Sequence, residues 1–254
     1  MIRSPRLKET IFESSFSLDR LPILHDHHVY GQVVSPGACQ LVLALHGLEL
    51  ARNGQPPSPE RPLVLQEISF PAALILAPEE AVQVQLLLSP QPGPGDGKTL
   101  AFEVLSPDAG GPEGQTALTH LAGQVPAHSP VHSPVHSPVP VPAGGQPATL
   151  EQAQAACPET RPVPALYETL AAQQIALGPR FRWISGIRQG ADGVLGRLSL
   201  PDSVDDLTAY TLHPGLLDAC FQLTAATYPG DPATSPGEPE TLVPVAIESI
   251  RLYA

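Results

Sequence analysis

The chain has 254 residues, 42% of them apolar, and carries 13 Lys and Arg against 25 Asp and Glu, a formal charge of −12. Neutralising phosphates needs clustered cations, so this balance argues against a nucleic-acid partner, and no stretch reaches the ~20 apolar residues that would make a membrane span. The N-terminus is charged through Arg3, Arg6 and Lys8 with no apolar run behind it, and the three cysteines, Cys39, Cys157 and Cys220, lack CxxC spacing, so the expectation is a reduced, cytoplasmic protein without a disulfide framework.

Thirty-two prolines and 21 glycines break the chain too often for long helices and favour short strands joined by turns. The first informative stretch is His25-Asp26-His27-His28, followed by Gly31 and Pro36, which sets a histidine on the segment feeding a helix. That helix is expected over 37–50, introduced by Pro36-Gly37 after Ser35. It is apolar nearly all round and therefore buried nearly all round. Residues 81–88, 100–105 and 119–125 read as successive antiparallel strands separated by Pro/Gly turns such as 92–97.

Residues 126–160 follow as a Pro/His/Ser-rich linker in which His-Ser-Pro-Val occurs three times, at His128, His132 and His136. An extended chain spreads these rings and gives them no supporting shell, so no metal is expected there. The linker divides the chain into an N-terminal half, 1–125, and a C-terminal half, 161–254. In the second half 181–184, 193–200 and 242–253 read as strands. A second apolar helix is expected over 216–226, introduced by Pro214-Gly215 after His213, with Pro214 178 residues after Pro36. A central apolar helix wrapped by an antiparallel sheet, occurring twice, suggests an α+β double hotdog, although the periodicity alone also admits two unrelated α+β halves.

The polar groups at these helix starts carry the chemistry. Asp218 and Gln222, four residues apart, share one face of an otherwise apolar helix. If the two helix regions lie side by side, His27 and Asp218 converge on one pocket as a base and an acid whose pKa values are separated by environment. The plainer reading is a capping aspartate and a structural histidine. The cluster His25, His27 and His28 has no further ligand at a zinc spacing, so the expectation is no metal.

His27-His28-Val29-Tyr30-Gly31-Gln32-Val33-Val34-Ser35-Pro36 resembles the HxxxGxxxxP motif of dehydratase domains of modular type I polyketide synthases. His213-Pro214-Gly215-Leu216-Leu217-Asp218-Ala219-Cys220-Phe221-Gln222 resembles their HPxLLDxxxQ signature, and Gly178-Pro179-Arg180-Phe181 keeps the second half of GYxYGPxF. The resemblance runs from about Phe12 to the C-terminus and implies the double hotdog. It implies that His27 takes the α-proton of a 3-hydroxyacyl thioester and that Asp218 protonates the departing hydroxyl, giving a 2-enoyl product. Gln222 then orients Asp218, the Gly37 N–H points at the thioester carbonyl, Pro36 sets the turn that aims it, and Leu177, Gly178 and Pro179 line the substrate tunnel.

The same resemblance implies no cofactor of the domain's own, because the substrate arrives on the phosphopantetheine arm of an acyl carrier protein. Neighbouring synthase domains are the other implied partners, and a homodimer is compatible with it. Leu177, Ile175 and Gln174 depart from the motif, replacing two tyrosines and a glycine. That leaves open a double-bond shift from α,β to β,γ, dehydration coupled to oxa-Michael ring closure, or a silent carrier-docking domain. Relatives also continue with further strands after the equivalent of 242–253, whereas this sequence stops at Ala254.

Overall fold

The computed structural model describes residues 1, 8–52, 57, 58, 62–92, 98–107, 117–126, 149–191, 193–208, 210–227 and 241–253. The His-Ser-Pro-Val repeats, with His128, His132 and His136, lie outside them.

The N-terminal half is built on α1 (Gly37–Ala51). A sheet of order β1-β6-β7-β8-β4-β13 curves around it, made of β1 (Thr10–Phe16), β4 (Leu63–Ser69), β6 (Val82–Pro92), β7 (Lys98–Pro107), β8 (Ala117–Val125) and β13 (Ala246–Leu252). All of its pairings are antiparallel. Alternation drives the burial: Val84, Leu86 and Leu88 of β6 and Phe102 and Val104 of β7 point inward onto Leu41, Leu45 and Leu48 of α1, while Gln83 and Gln85 point out. Gly47 lets the helix approach this closely, since a side chain there would run into Leu86. Glu67, with φ +52°, sits where the β4–β8 register slips between Gln66 and Ser69, so it forms a bulge that bends the sheet.

A second sheet, β10-β2-β3-β5, joins β2 (His27–Val29), β3 (Gln32–Ser35), β5 (Leu74–Leu76) and β10 (Ile175–Leu177). A third, β12-β11-β9, joins β9 (Glu159–Arg161), β11 (Ile184–Gln189) and β12 (Val194–Leu198) and packs against α4 (Pro214–Ala225). Gly196 allows that approach, because a Cβ there would meet Leu223 of α4. The α4 helix also lies against α1.

Three expectations are corrected. Residues 149–160 are regular structure rather than the end of a linker: α2 (Leu150–Ala156) starts with a reciprocal cap between Thr149 and Gln152, and β9 pairs with β11. Residues 181–184 are not a strand, because Pro179 fixes a 3-10 turn over Pro179–Phe181 and β11 begins only at Ile184. The strand expected over 242–253 starts at Ala246, after Pro244, which lacks a ladder N–H. Strands also cross between the two halves, since β13 extends the first sheet beyond β4 and β10 pairs with β2. Strands β1 to β5, β9 and β10 and helices α2 and α3 (Val163–Ala172) are too short or too irregular in pattern to have been read from the sequence.

Candidate active site

The site is assembled at the point where these elements meet. Pairing of β10 with β2 places Leu177 opposite His27, and the packing of α4 on α1 brings Asp218 to the same cavity. The cavity has a volume of about 680 Å³, and His27, Pro36, Gly37, Leu177, Asp218 and Gln222 all line it. Most of the remaining wall is apolar, which lowers the local dielectric and strengthens the electrostatics of the few polar groups inside.

His27 is 8% exposed and its Nδ1 lies 2.8 Å from the carbonyl oxygen of Val34. A carbonyl only accepts, so Nδ1 carries the proton and Nε2 is left with the basic lone pair. The ring is fixed from the side by Phe181, edge to face, with centroids 5.3 Å apart. Burial pushes the His27 pKa below the ordinary histidine value, partly offset by the nearby Asp218.

Asp218 is 7% exposed. Burial pushes its pKa above the ordinary carboxylate value, partly offset by His27 and by Gln222. Gln222 Nε2 donates to Asp218 Oδ2 at 2.8 Å and to the Phe181 carbonyl at 3.0 Å, which locks the amide between the helix and the 3-10 turn. Upstream, the His213 ring caps α4, its Nδ1 accepting from the Gly215 N–H at 3.1 Å, and the ring is flanked by Trp183 and Tyr210, each at a centroid distance of 4.9 Å. Pro214 at the first helical position has no N–H to leave unpaired.

At the other helix, Pro36 is the cap of α1 and Gly37 its first residue. First-turn amides have no acceptor within their helix. A side chain at Gly37 would strike the Phe70 ring, with Cε1 only 2.5 Å from a Cβ built there.

Two of the expected tunnel residues do not line the cavity. Gly178 donates its N–H to the Asp26 carbonyl at 2.7 Å, and a Cβ there would meet the Asp26 side chain. Pro179 starts the 3-10 turn whose Arg180 N–H donates to Asp26 Oδ2 at 2.8 Å. Their work is to hold the turn that delivers Phe181 to His27. The rest of the histidine cluster faces away, because alternation along β2 turns His28 to the opposite side. His25 and His28 border a separate cavity of about 300 Å³ with Tyr167 and Arg182. No group of three potential metal ligands occurs among the described residues.

Sequence reading missed several parts of the site. Val34 contributes only its carbonyl, which no side-chain pattern reveals. Phe181 acts through its ring and its carbonyl. His120 lines the cavity with both ring nitrogens occupied, Nε2 with Ser106 Oγ at 2.7 Å and Nδ1 with the Ala72 carbonyl at 3.1 Å. Thr241 at the mouth lies 2.7 Å from both the Tyr30 hydroxyl and the Gln173 carbonyl.

Residues 1–107 match the family model described as polyketide synthase dehydratase domain, and 145–254 match one described as polyketide synthase dehydratase N-terminal domain. The solved dehydratase domain from the CurJ module of curacin polyketide synthase is 31% identical, with 99% of this chain and 77% of that one covered at a TM-score of 0.80. This chain belongs to the polyketide synthase dehydratase family. Its fold is the double hotdog. An inactive CurJ dehydratase mutant, in which a histidine is replaced by phenylalanine, has the same fold, at 30% identity and a TM-score of 0.76, with 99% and 76% of the two chains covered. The polyketide synthase ThaG of Burkholderia thailandensis is 29% identical over 237 residues, which are 92% of this chain and 4% of ThaG. This dehydratase domain therefore spans a small part of that curated relative. Among the described residues, no helix is long and apolar enough to cross a membrane.

Proposed function

We propose that this domain removes water from a 3-hydroxyacyl thioester to give the 2-enoyl thioester, the acyl chain being presented on the phosphopantetheine arm of an acyl carrier protein within a synthase. The observation that carries the proposal is the pairing, in one largely apolar cavity, of an imidazole and a carboxyl that burial drives toward their neutral forms.

His27 Nε2 takes the α-proton. Gln222 occupies Asp218 Oδ2, so Oδ1 is the oxygen that carries the proton given to the departing hydroxyl. The C–O bond breaks, water leaves, and the α-carbon electron pair becomes the new double bond. Charge building on the thioester carbonyl is met by the Gly37 N–H at the positive end of α1. The proton gained by His27 returns to solvent, and Asp218 is reprotonated. The histidine-to-phenylalanine mutant that inactivates the CurJ dehydratase supports a histidine base. Leu177, which puts an apolar side chain at the wall opposite His27, also fits a double-bond shift, but a shift expels no hydroxyl and the buried acid Asp218 is what a departing hydroxyl needs, which favours dehydration. The acyl carrier and the neighbouring synthase domains are the partners this reading requires.

Intact-mass measurement of a carrier loaded with a 3-hydroxyacyl chain tests it. The wild type is expected to remove one water and His27→Ala to remove none while keeping its melting temperature. Turnover retained by His27→Ala overturns the assignment. No mass change with either protein, together with deuterium uptake at the γ-carbon of an enoyl thioester, replaces dehydration by the shift.

A further inference from the structure

Beyond the reacting pair, the cavity holds polar groups that have no work in the chemistry above. Gln40, on the first turn of α1, is 2% exposed and lines the cavity. Its Nε2 makes one long contact, 3.5 Å, with the Ser35 carbonyl, and its Oε1 has no hydrogen-bond partner among the described residues. Ser35, also 2% exposed and lining the cavity, leaves its Oγ without a hydrogen bond, the Cys39 thiol beside it being a weak partner. His120, equally buried in the wall, is by contrast fully satisfied, and Gln222, whose Oε1 also has no partner among the described residues, has its amide nitrogen engaged by Asp218 and the Phe181 carbonyl. An acceptor buried without a donor is costly, and where it lines a substrate-sized cavity a donor on the ligand can satisfy it.

Helix geometry says where that donor lies. Gln40 follows Gly37 by three residues, so both sit on one face of α1, about 4.5 Å apart along the axis. Helical side chains lean toward the N-terminus, which brings the Gln40 amide back over the turn that begins at Gly37 and accounts for its contact with Ser35. If the Gly37 N–H receives the thioester carbonyl, the Gln40 oxygen faces whatever stands a few bonds from that carbonyl. The hydroxyl being eliminated belongs to Asp218.

We propose that Gln40, supported by Ser35, is a specificity-determining residue that accepts a hydrogen bond from an N–H or O–H group of the thioester substrate lying within one helical turn of its carbonyl. The nearest such group is the first amide N–H of the pantetheine arm, on the sulfur side. A second hydroxyl on the acyl chain offers the same chemistry from the other side. The assignment rests on the thioester reading above and adds a recognition contact to it.

Three thioesters separate these sources: 3-hydroxyhexanoyl-N-acetylcysteamine, which keeps the arm's amide; its S-pentyl counterpart, which lacks it; and the S-pentyl thioester of 3,5-dihydroxyhexanoic acid, which carries only the extra hydroxyl. Each is measured with the wild type and with Gln40→Leu, by equilibrium binding and by kcat/KM. The wild type is expected to prefer the amide-bearing thioester over its S-pentyl counterpart by about 10-fold, and Gln40→Leu to abolish that preference. A preference for the dihydroxy thioester that vanishes in Gln40→Leu assigns the chain hydroxyl as the donor instead. Gln40→Leu is also expected to melt higher than the wild type, because it removes an unpaired buried oxygen. Equal loss across all three thioesters, or no change in any, overturns the proposal. Binding with the expected preference but without water loss leaves Gln40 as assigned and sinks the dehydration reading, and failure of every thioester to bind sinks both.

Discussion

Burial pushes His27 and Asp218 in opposite directions on the pH scale and toward the same outcome, an uncharged side chain. In the proposed mechanism proton abstraction needs the imidazole neutral and proton donation needs the carboxyl protonated, so the same apolar wall suits both proposed roles. The sign for activity follows. kcat/KM falls on the acid side as His27 gains a proton, and because its pKa is lowered that limb lies below the ordinary histidine value of 6.5. It falls on the alkaline side as Asp218 loses its proton, and because that pKa is raised the limb lies above the ordinary 3.8. A bell-shaped profile is expected, with limbs that belong to the pair as a unit. In Asp218→Asn the alkaline limb disappears along with most of the rate, whereas a profile that stays bell-shaped in that variant assigns the acid elsewhere. Asp218 and Gln222 were legible because each breaks an otherwise apolar helix, and His27 because its spacing to Gly31 and Pro36 matches a motif. Gly178 and Pro179 were legible as a motif but not in their role, since a motif does not say whether a residue touches the cavity or braces the turn behind it.

At the scale of elements, the starts of α1 and α4 decide the geometry. Both begin with a proline and a glycine, but the glycines do different work. Gly37 keeps space under Phe70, whereas Gly215 lets α4 begin against the Arg180–Trp183 turn. A Cβ at Gly215 would lie 2.7 Å from the Arg180 carbonyl and would collide with the Trp183 indole nitrogen. That nitrogen itself donates to the Arg180 carbonyl at 2.9 Å, so neither partner has freedom to move. Gly215→Ala is therefore expected to cost about 1–3 kcal/mol by overpacking, read as a lower urea midpoint at unchanged slope. Gly193→Ala, whose Cβ meets nothing within 4 Å among the described residues, is the control, and an equal midpoint for the two variants removes the packing argument. Helices α1 and α4 were legible because a long run that is apolar all round has few alternatives to burial. The three-residue strands β2, β5 and β10 were not, because their pairing is set by distant partners rather than by any alternation they can display.

At the scale of the whole molecule, the cavity is closed by segments that are far apart in sequence. The stretch leading to β13 crosses its mouth, anchored at one end by the Phe70 N–H donating to the Val245 carbonyl at 3.0 Å and at the other by Thr241. Thr241 donates to the Gln173 carbonyl and so accepts from the Tyr30 hydroxyl, which ties this strap to the C-terminal end of α3 and to the β2–β3 turn. Thr241→Val keeps the shape and removes both bonds. The expected result is a KM for a thioester substrate raised about 3–10-fold with kcat within about twofold, since the mouth changes and the reacting pair does not. A fall in kcat at constant KM would instead show that the strap positions the pair.

The sequence by itself determined the helical cores and the main hairpin of the first sheet, because those depend on local periodicity, and its motifs singled out His27, Asp218 and Gln222 as candidate site residues. Only the tertiary structure decided that Leu177 faces His27 across β10 and β2, that Val34 and Phe181 fix the imidazole, that β13 completes the first sheet, and that Gln40 brings to the cavity an acceptor with no partner among the described residues. Each of these is a contact between segments whose neighbours are chosen by packing over the whole chain, and no local pattern encodes that choice.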